Sequence, residues 1–194
     1  MWFARGLSRA GVWFGGALMV AAALVIGVEV VIRKLFNLSV GGADELSGYA
    51  LAIGSAWAFG FTLLDRSHVR IDSLYVLLPT PVCAALDLLA LVVFGGFMTL
   101  VTWHGYGVLR QSIDVGARSM SPLATPLVAP QLLWVLGLVV ASLVSVILLV
   151  RALPALVRGD FDGVQRLIGS RTLTEELEEE LAVAAHAETR EVPR

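Results

Sequence analysis

Apolar residues concentrate in four long runs, roughly 10–32, 46–64, 82–109 and 127–150, and the short segments between them hold most of the charges of the first 158 residues. At 1.5 Å of rise per residue, about 20 residues cross the ~30 Å hydrocarbon core of a bilayer, and each run meets that length. Lipid offers the backbone no hydrogen-bond partner, so each run satisfies its own N–H and C=O groups as a helix. The expected fold is an all-α integral membrane protein with four transmembrane helices. The first run exceeds twenty residues and passes through Val31 and Ile32 into Arg33 and Lys34 without a small-residue cleavage pattern. It is expected to stay attached rather than to be cleaved as a signal peptide, whose apolar region is usually about 7–15 residues.

Four spans put both ends of the chain on one side. Arg5, Arg9, Arg66, Arg70, Arg151 and Arg158 then fall on the side of the termini, against Arg33, Lys34, Arg110 and Arg118 on the other. The excess places both termini in the cytoplasm by the positive-inside rule. The outer connections are 33–45 and 110–126, the latter leading into the last run through Pro122, Pro126 and Pro130; the inner connection 65–81 ends on Pro79 and Pro81. Proline restricts the backbone and delays helix entry in both. None of these segments is long enough for a substantial domain.

Composition sharpens this picture. Apolar residues make up 57% of the 194 and charged residues 15%, with a mean hydropathy of +0.81, whereas soluble domains carry about 25% charge. The net charge of −2 hides an asymmetry: residues 1–158 hold ten basic and seven acidic side chains, residues 159–194 four and nine. The division is thus a membrane domain over 1–158 and an acidic cytoplasmic tail over 159–194. Within the tail, Thr172 and Glu175 fit a capping box, and Leu173, Leu177 and Leu181 recur every four residues, the pattern of a short amphipathic helix. Its acidity argues against anionic lipid, and the overall balance gives no reason to expect nucleic acid.

Candidate chemistry inside the spans is sparse. Glu29 lies four residues before Arg33, which reads either as an interfacial i,i+4 ion pair or as a transport residue. Asp87 sits near the start of the third run, by the cytoplasmic headgroups, with Arg70 or a partner subunit as its counter-ion. His104, between Trp103 and the nearby Tyr106, fits an aromatic belt. A single cysteine, Cys83, excludes a disulfide framework and a quinone-linked disulfide oxidase. His68 and His104 fall on opposite sides, so no haem is bracketed by paired histidines. No H-E-x-x-H and no serine with a histidine base in the bilayer is present. Neither an enzyme nor a cofactor is expected.

The helices instead offer surfaces for other helices. The second run carries Gly48, Ala52, Ala56 and Gly60 at strict four-residue spacing, the fourth Gly137, Ala141 and Ser145, and the first Gly11 and Gly15. In lipid, small residues let backbones approach closely, and packing drives association. These faces serve either packing within the chain or contact with another subunit.

Asp44 and Glu45 lead into the second helix, and its cytoplasmic exit reads Asp65-Arg66-Ser67-His68-Val69-Arg70-Ile71-Asp72. This arrangement resembles the small permease subunit (DctQ-like) of tripartite ATP-independent periplasmic (TRAP) transporters. That family has an acidic pair, commonly Glu-Glu, before a Gly/Ala-rich second helix, then H-x-R-x-D. Glu45 and the trio His68, Arg70 and Asp72 match those positions, and Pro126 and Pro130 match its entry to the last helix. Asp44 stands where the first Glu is usual, and the Trp often found upstream is missing. The resemblance covers about 10–155 and leaves the acidic tail outside.

The resemblance implies import of organic acids across the bacterial inner membrane, typically coupled to Na⁺. The implied partners are a large permease subunit with the substrate and ion sites, a periplasmic substrate-binding protein, and membrane lipids. This chain would be a scaffold with no substrate, metal or catalytic site of its own. Its sequence agrees, having no charged or proline-broken midplane. The exit trio reads either as a local loop clasp or as a contact with the large subunit. The small subunit of tripartite tricarboxylate transporters, similar in size, is an alternative that the exit motif disfavours. A membrane lipid-modifying enzyme is a second alternative, disfavoured by the missing polar centre.

Overall fold

The computed structural model describes residues 2–38, 41–66 and 78–169, with side chains from Gly11 onward. Five helices lie among them: α1 (Trp2–Phe36), α2 (Ala43–Leu64), α3 (Thr80–Val115), α4 (Val128–Val157) and α5 (Phe161–Ile168). The first four are long and apolar enough to span a membrane. The expected spans lie within these helices, Leu127 being the N-cap of α4. The exit trio His68, Arg70 and Asp72, and the tail helix expected around Leu173–Leu181, fall outside the described residues.

The helices are longer than the apolar runs because polar ends continue them. The 36 residues of α3 span about 54 Å, well beyond the ~30 Å hydrocarbon core. Its start is set by Pro79 at the N-cap and Pro81 in the first turn, where the missing N–H costs nothing. It ends in a left-handed Gly116 (φ 60°), with Gly116 N–H donating to Ile113 O and Ala117 N–H to Ser112 O. That pair of bonds is the Schellman closure, which satisfies carbonyls the helix leaves open. Pro154 lies inside α4, one turn from its C-terminal end, and removes one backbone hydrogen bond to the preceding turn.

α1 packs on α2, α2 on α4, and α4 on α3, while α5 lies against both α3 and α4. Leu63, Leu91, Val144 and Leu148 form a buried cluster at the α5 end, one residue each from α2 and α3 and two from α4. Ala56, Met98 and Leu138 form a second cluster farther along the same three helices. Between them the rings of Phe59 and Phe94 meet edge to face, with centroids 6.3 Å apart. α1 stands outside this three-helix core, against the far side of α2.

Candidate functional site

The small-residue faces divide sharply. Ala56 and Gly60 are buried in the chain's own packing, whereas Gly48 and Ala52 are exposed, and a Cβ on Gly48 would meet nothing within 4 Å. The crossing of α2 and α4 centres on Gly137, where an added Cβ would lie 2.9 Å from Ala56 Cβ and 2.9 Å from Trp57 Cδ1. Trp57 fills the space so created, and its indole N–H donates to the Leu133 carbonyl of α4 at 3.1 Å. On its other side the ring lies over Gly11 of α1. One aromatic side chain therefore ties three helices together, and two glycines make room for it.

α1 and α2 approach at a pair of glycines. A Cβ on Gly15 would lie 2.9 Å from Gly54 Cα. Along α4, Ala141 and Ser145 are buried, and a Cβ on Gly95 of α3 would sit 3.0 Å from Ser145 Cβ. Gly11, Gly15, Gly137, Ala141 and Ser145 are thus all engaged within the chain.

Glu45 occupies the first turn of α2, near the helix's positive end, where a carboxylate is favoured. Its Oε1 accepts from Tyr49 Oη at 2.6 Å, one turn on. Its Oε2 accepts from Ser119 Oγ at 3.0 Å and from Ser121 Oγ. Both serines belong to the 116–127 connection, which folds back on itself: Ser119 N–H donates to Thr125 O at 2.9 Å and Leu127 N–H to Ala117 O at 3.1 Å. Ser119 Oγ also accepts from Thr125 N–H at 3.1 Å. The carboxylate thereby clasps the α3–α4 connection to the start of α2. Two glycines let the backbones meet there. Gly41 (φ 61°) and Gly42 (φ 149°) adopt angles that favour glycine, and a Cβ on Gly41 would lie 3.1 Å from Pro122 Cγ.

The acidic residues of the spans are also placed. Glu29 is 5% exposed and forms the i,i+4 pair with Arg33, Nη2 to Oε1 at 2.9 Å. Asp87 is 2% exposed and lies beneath the end of α5, where a Cβ on Gly169 would come 3.1 Å from its Oδ2. His104 is exposed on α3, beside an exposed Trp103 and near an exposed Tyr106. Among the described residues no group of three or more His, Cys, Asp or Glu side chains is gathered as a metal site.

Several of these partners carry weak sequence signals. Tyr49 at i+4 from Glu45 and the serines and threonine flanking Pro122 are hydrogen-bonding types, but nothing local ties them to Glu45. Trp57 lies inside an apolar run, where aromatics are ordinary filling. α5 escapes notice because it is short and carries an interior glycine, Gly163, although Asp160 at its N-cap is a standard start signal.

No curated protein sequence and no solved structure matches the chain. The family model described as "Tripartite ATP-independent periplasmic transporters, DctQ component" matches residues 10–155. That stretch holds nearly all of the four spanning helices, the Glu45 clasp and the Gly137–Trp57 crossing, and it makes the chain a multi-pass membrane protein of the DctQ family, the small membrane subunits of TRAP transporters.

Proposed function

We propose that this chain is the membrane scaffold of a TRAP-type secondary transporter that imports organic acids on an ion gradient, with Na⁺ as the coupling ion. It works beside a large permease subunit and a periplasmic substrate-binding protein, surrounded by inner-membrane lipid, and carries out no turnover of its own. Both termini face the cytoplasm, so the Glu45 clasp lies at the periplasmic surface and α5 at the cytoplasmic one. The observation that carries this reading is how the spans spend their interiors. Glycine, alanine and aliphatic side chains lock α2, α3 and α4 together, and the acidic residues Glu29 and Asp87 fall toward helix ends. Transporter sites are built from broken helices and midplane polar groups; the helices here are spent on rigidity. The exposed Gly48–Ala52 face and the exit trio His68, Arg70 and Asp72 are assigned to contact with the large subunit.

The test is uptake in vesicles containing the whole transporter, with Na⁺ and substrate titrated for Glu29→Gln and Asp87→Asn. Lower maximal rate or complex abundance is expected, with the Na⁺ concentration for half-maximal uptake unchanged. A shift of that concentration at normal abundance would make the substituted residue part of the ion path and overturn the reading.

A further inference from the structure

We infer that α5 is a strap fastening the cytoplasmic ends of α2, α3 and α4 to one another, with Arg66 and the Gly169 carbonyl as its catch. The inference deepens the scaffold reading above, because a fixed support needs fixed spacing between its helix ends.

An eight-residue helix is marginal in isolation, so its order comes from what it docks on. The turn into α5 is made by Gly159 (φ 70°), and Asp160 caps the helix by accepting from Gly163 N–H at 2.8 Å. Val164 is then 0% exposed. Ile168 packs on the cluster of Leu63, Leu91, Val144 and Leu148, to which α2, α3 and α4 all contribute.

The far end of the strap is held by named contacts. Arg66, just past α2, donates from Nε to the Gly169 carbonyl at 2.6 Å, across 103 residues of sequence. Arg66 has φ 58°, a left-handed conformation that a non-glycine residue keeps only where its surroundings over-determine it. Gly169 has an ordinary φ of −66°; its lack of a side chain serves space instead, since a Cβ would press on Asp87 Oδ2 and the Gln165 carbonyl. The strap thus reaches α2 through Arg66, α3 through the packing of Ile168 on the cluster that holds Leu91, and α4 through that cluster and the chain itself.

The experiment uses the whole transporter, purified with its large subunit. A small subunit ending at Gly169 is expected to match the full chain in complex abundance, and one ending at Arg158 to lose most of it. Arg66→Asn keeps a residue that tolerates the left-handed backbone and deletes the Nε donor. Trypsin cleavage after Arg166, followed by mass spectrometry, is expected to quicken roughly five-fold, the factor that loss of one net hydrogen bond corresponds to. Full abundance of the chain ending at Arg158, equal loss in both truncations, or cleavage quickened less than about two-fold would each overturn the strap. The comparison of the two truncations and the cleavage rate bear on the strap. The Na⁺ titration bears on the scaffold reading, so the two fail separately.

Discussion

Gly137→Val is the sharpest test of the close α2–α4 crossing. The substitution adds a Cβ that would stand 2.9 Å from Ala56 Cβ and 2.9 Å from Trp57 Cδ1, against an optimum of about 3.5–4.0 Å between carbon atoms. Both neighbours are poorly able to yield: Ala56 is 1% exposed and has no rotamer to change, and Trp57 is held by its bond to Leu133 O. Relief requires α2 and α4 to separate by about 0.6–1.1 Å at their crossing. Overpacking of this kind costs roughly 1–3 kcal/mol, and losing the interhelical indole hydrogen bond adds about 0.6 kcal/mol. Replacing a helical glycine by β-branched valine returns only about 0.3 kcal/mol. The net of about 1–3 kcal/mol corresponds to a midpoint lowered by about 2–12 °C for a chain of this size. Cys83, the only cysteine and 3% exposed, provides the assay, since a maleimide that fluoresces on thiol reaction reports unfolding. Gly16→Val is the control, because a Cβ at Gly16 meets nothing within 4 Å. Equal midpoints for the two variants would refute the close α2–α4 crossing.

Two further outcomes are expected. Glu45→Gln removes a carboxylate that holds Tyr49, Ser119 and Ser121, so amide exchange over residues 118–125 should quicken while exchange in the α3 and α4 interiors stays unchanged; unchanged loop exchange would remove the clasp. In a Cys83→Ala background, Met120→Cys, at a fully exposed position of the same connection, should react with an impermeant thiol reagent from the periplasmic side and Ser170→Cys should not; the reverse pattern would invert the assigned orientation.

The four spans were legible because hydropathy is a local property, and so were Pro79 and Pro81, which set the start of α3. The small-residue stripe of α2 was legible as composition but not as a single face. An α-helix turns about 100° per residue, so each four-residue step advances about 40° around the axis. Over the three steps from Gly48 to Gly60 the stripe swings through about 120°, which is why Ala56 and Gly60 are buried while Gly48 and Ala52 are exposed. The Glu45 clasp was legible only as an acidic residue at a helix start. Its donors Ser119 and Ser121 lie 74 and 76 residues away, and no periodicity connects them. α5 was hidden by its length: about two turns of amphipathic pattern, interrupted by Gly163, carry little signal until the surface they cover is known.

The placement of polar contacts follows from the solvent. Within a bilayer the apolar surfaces of helices gain little by leaving lipid, and an interhelical hydrogen bond averages only about 0.6 kcal/mol, so close packing carries the association. The middle of the domain accordingly relies on glycine and alanine crossings, with Trp57 to Leu133 O and the Thr102–Ser142 hydroxyl pair as supplements. At the ends, water competes for backbone groups, and packing alone leaves connections free to move. There the chain uses directional contacts: Glu45 to the serines of the α3–α4 connection, and Arg66 to the end of α5. Both originate at the ends of α2, the helix that also meets α1 and α4 along its length. α2 is therefore the element on which the others are registered, whereas α1, joined mainly through Gly11, Gly15 and their partners on α2, is held along one side only.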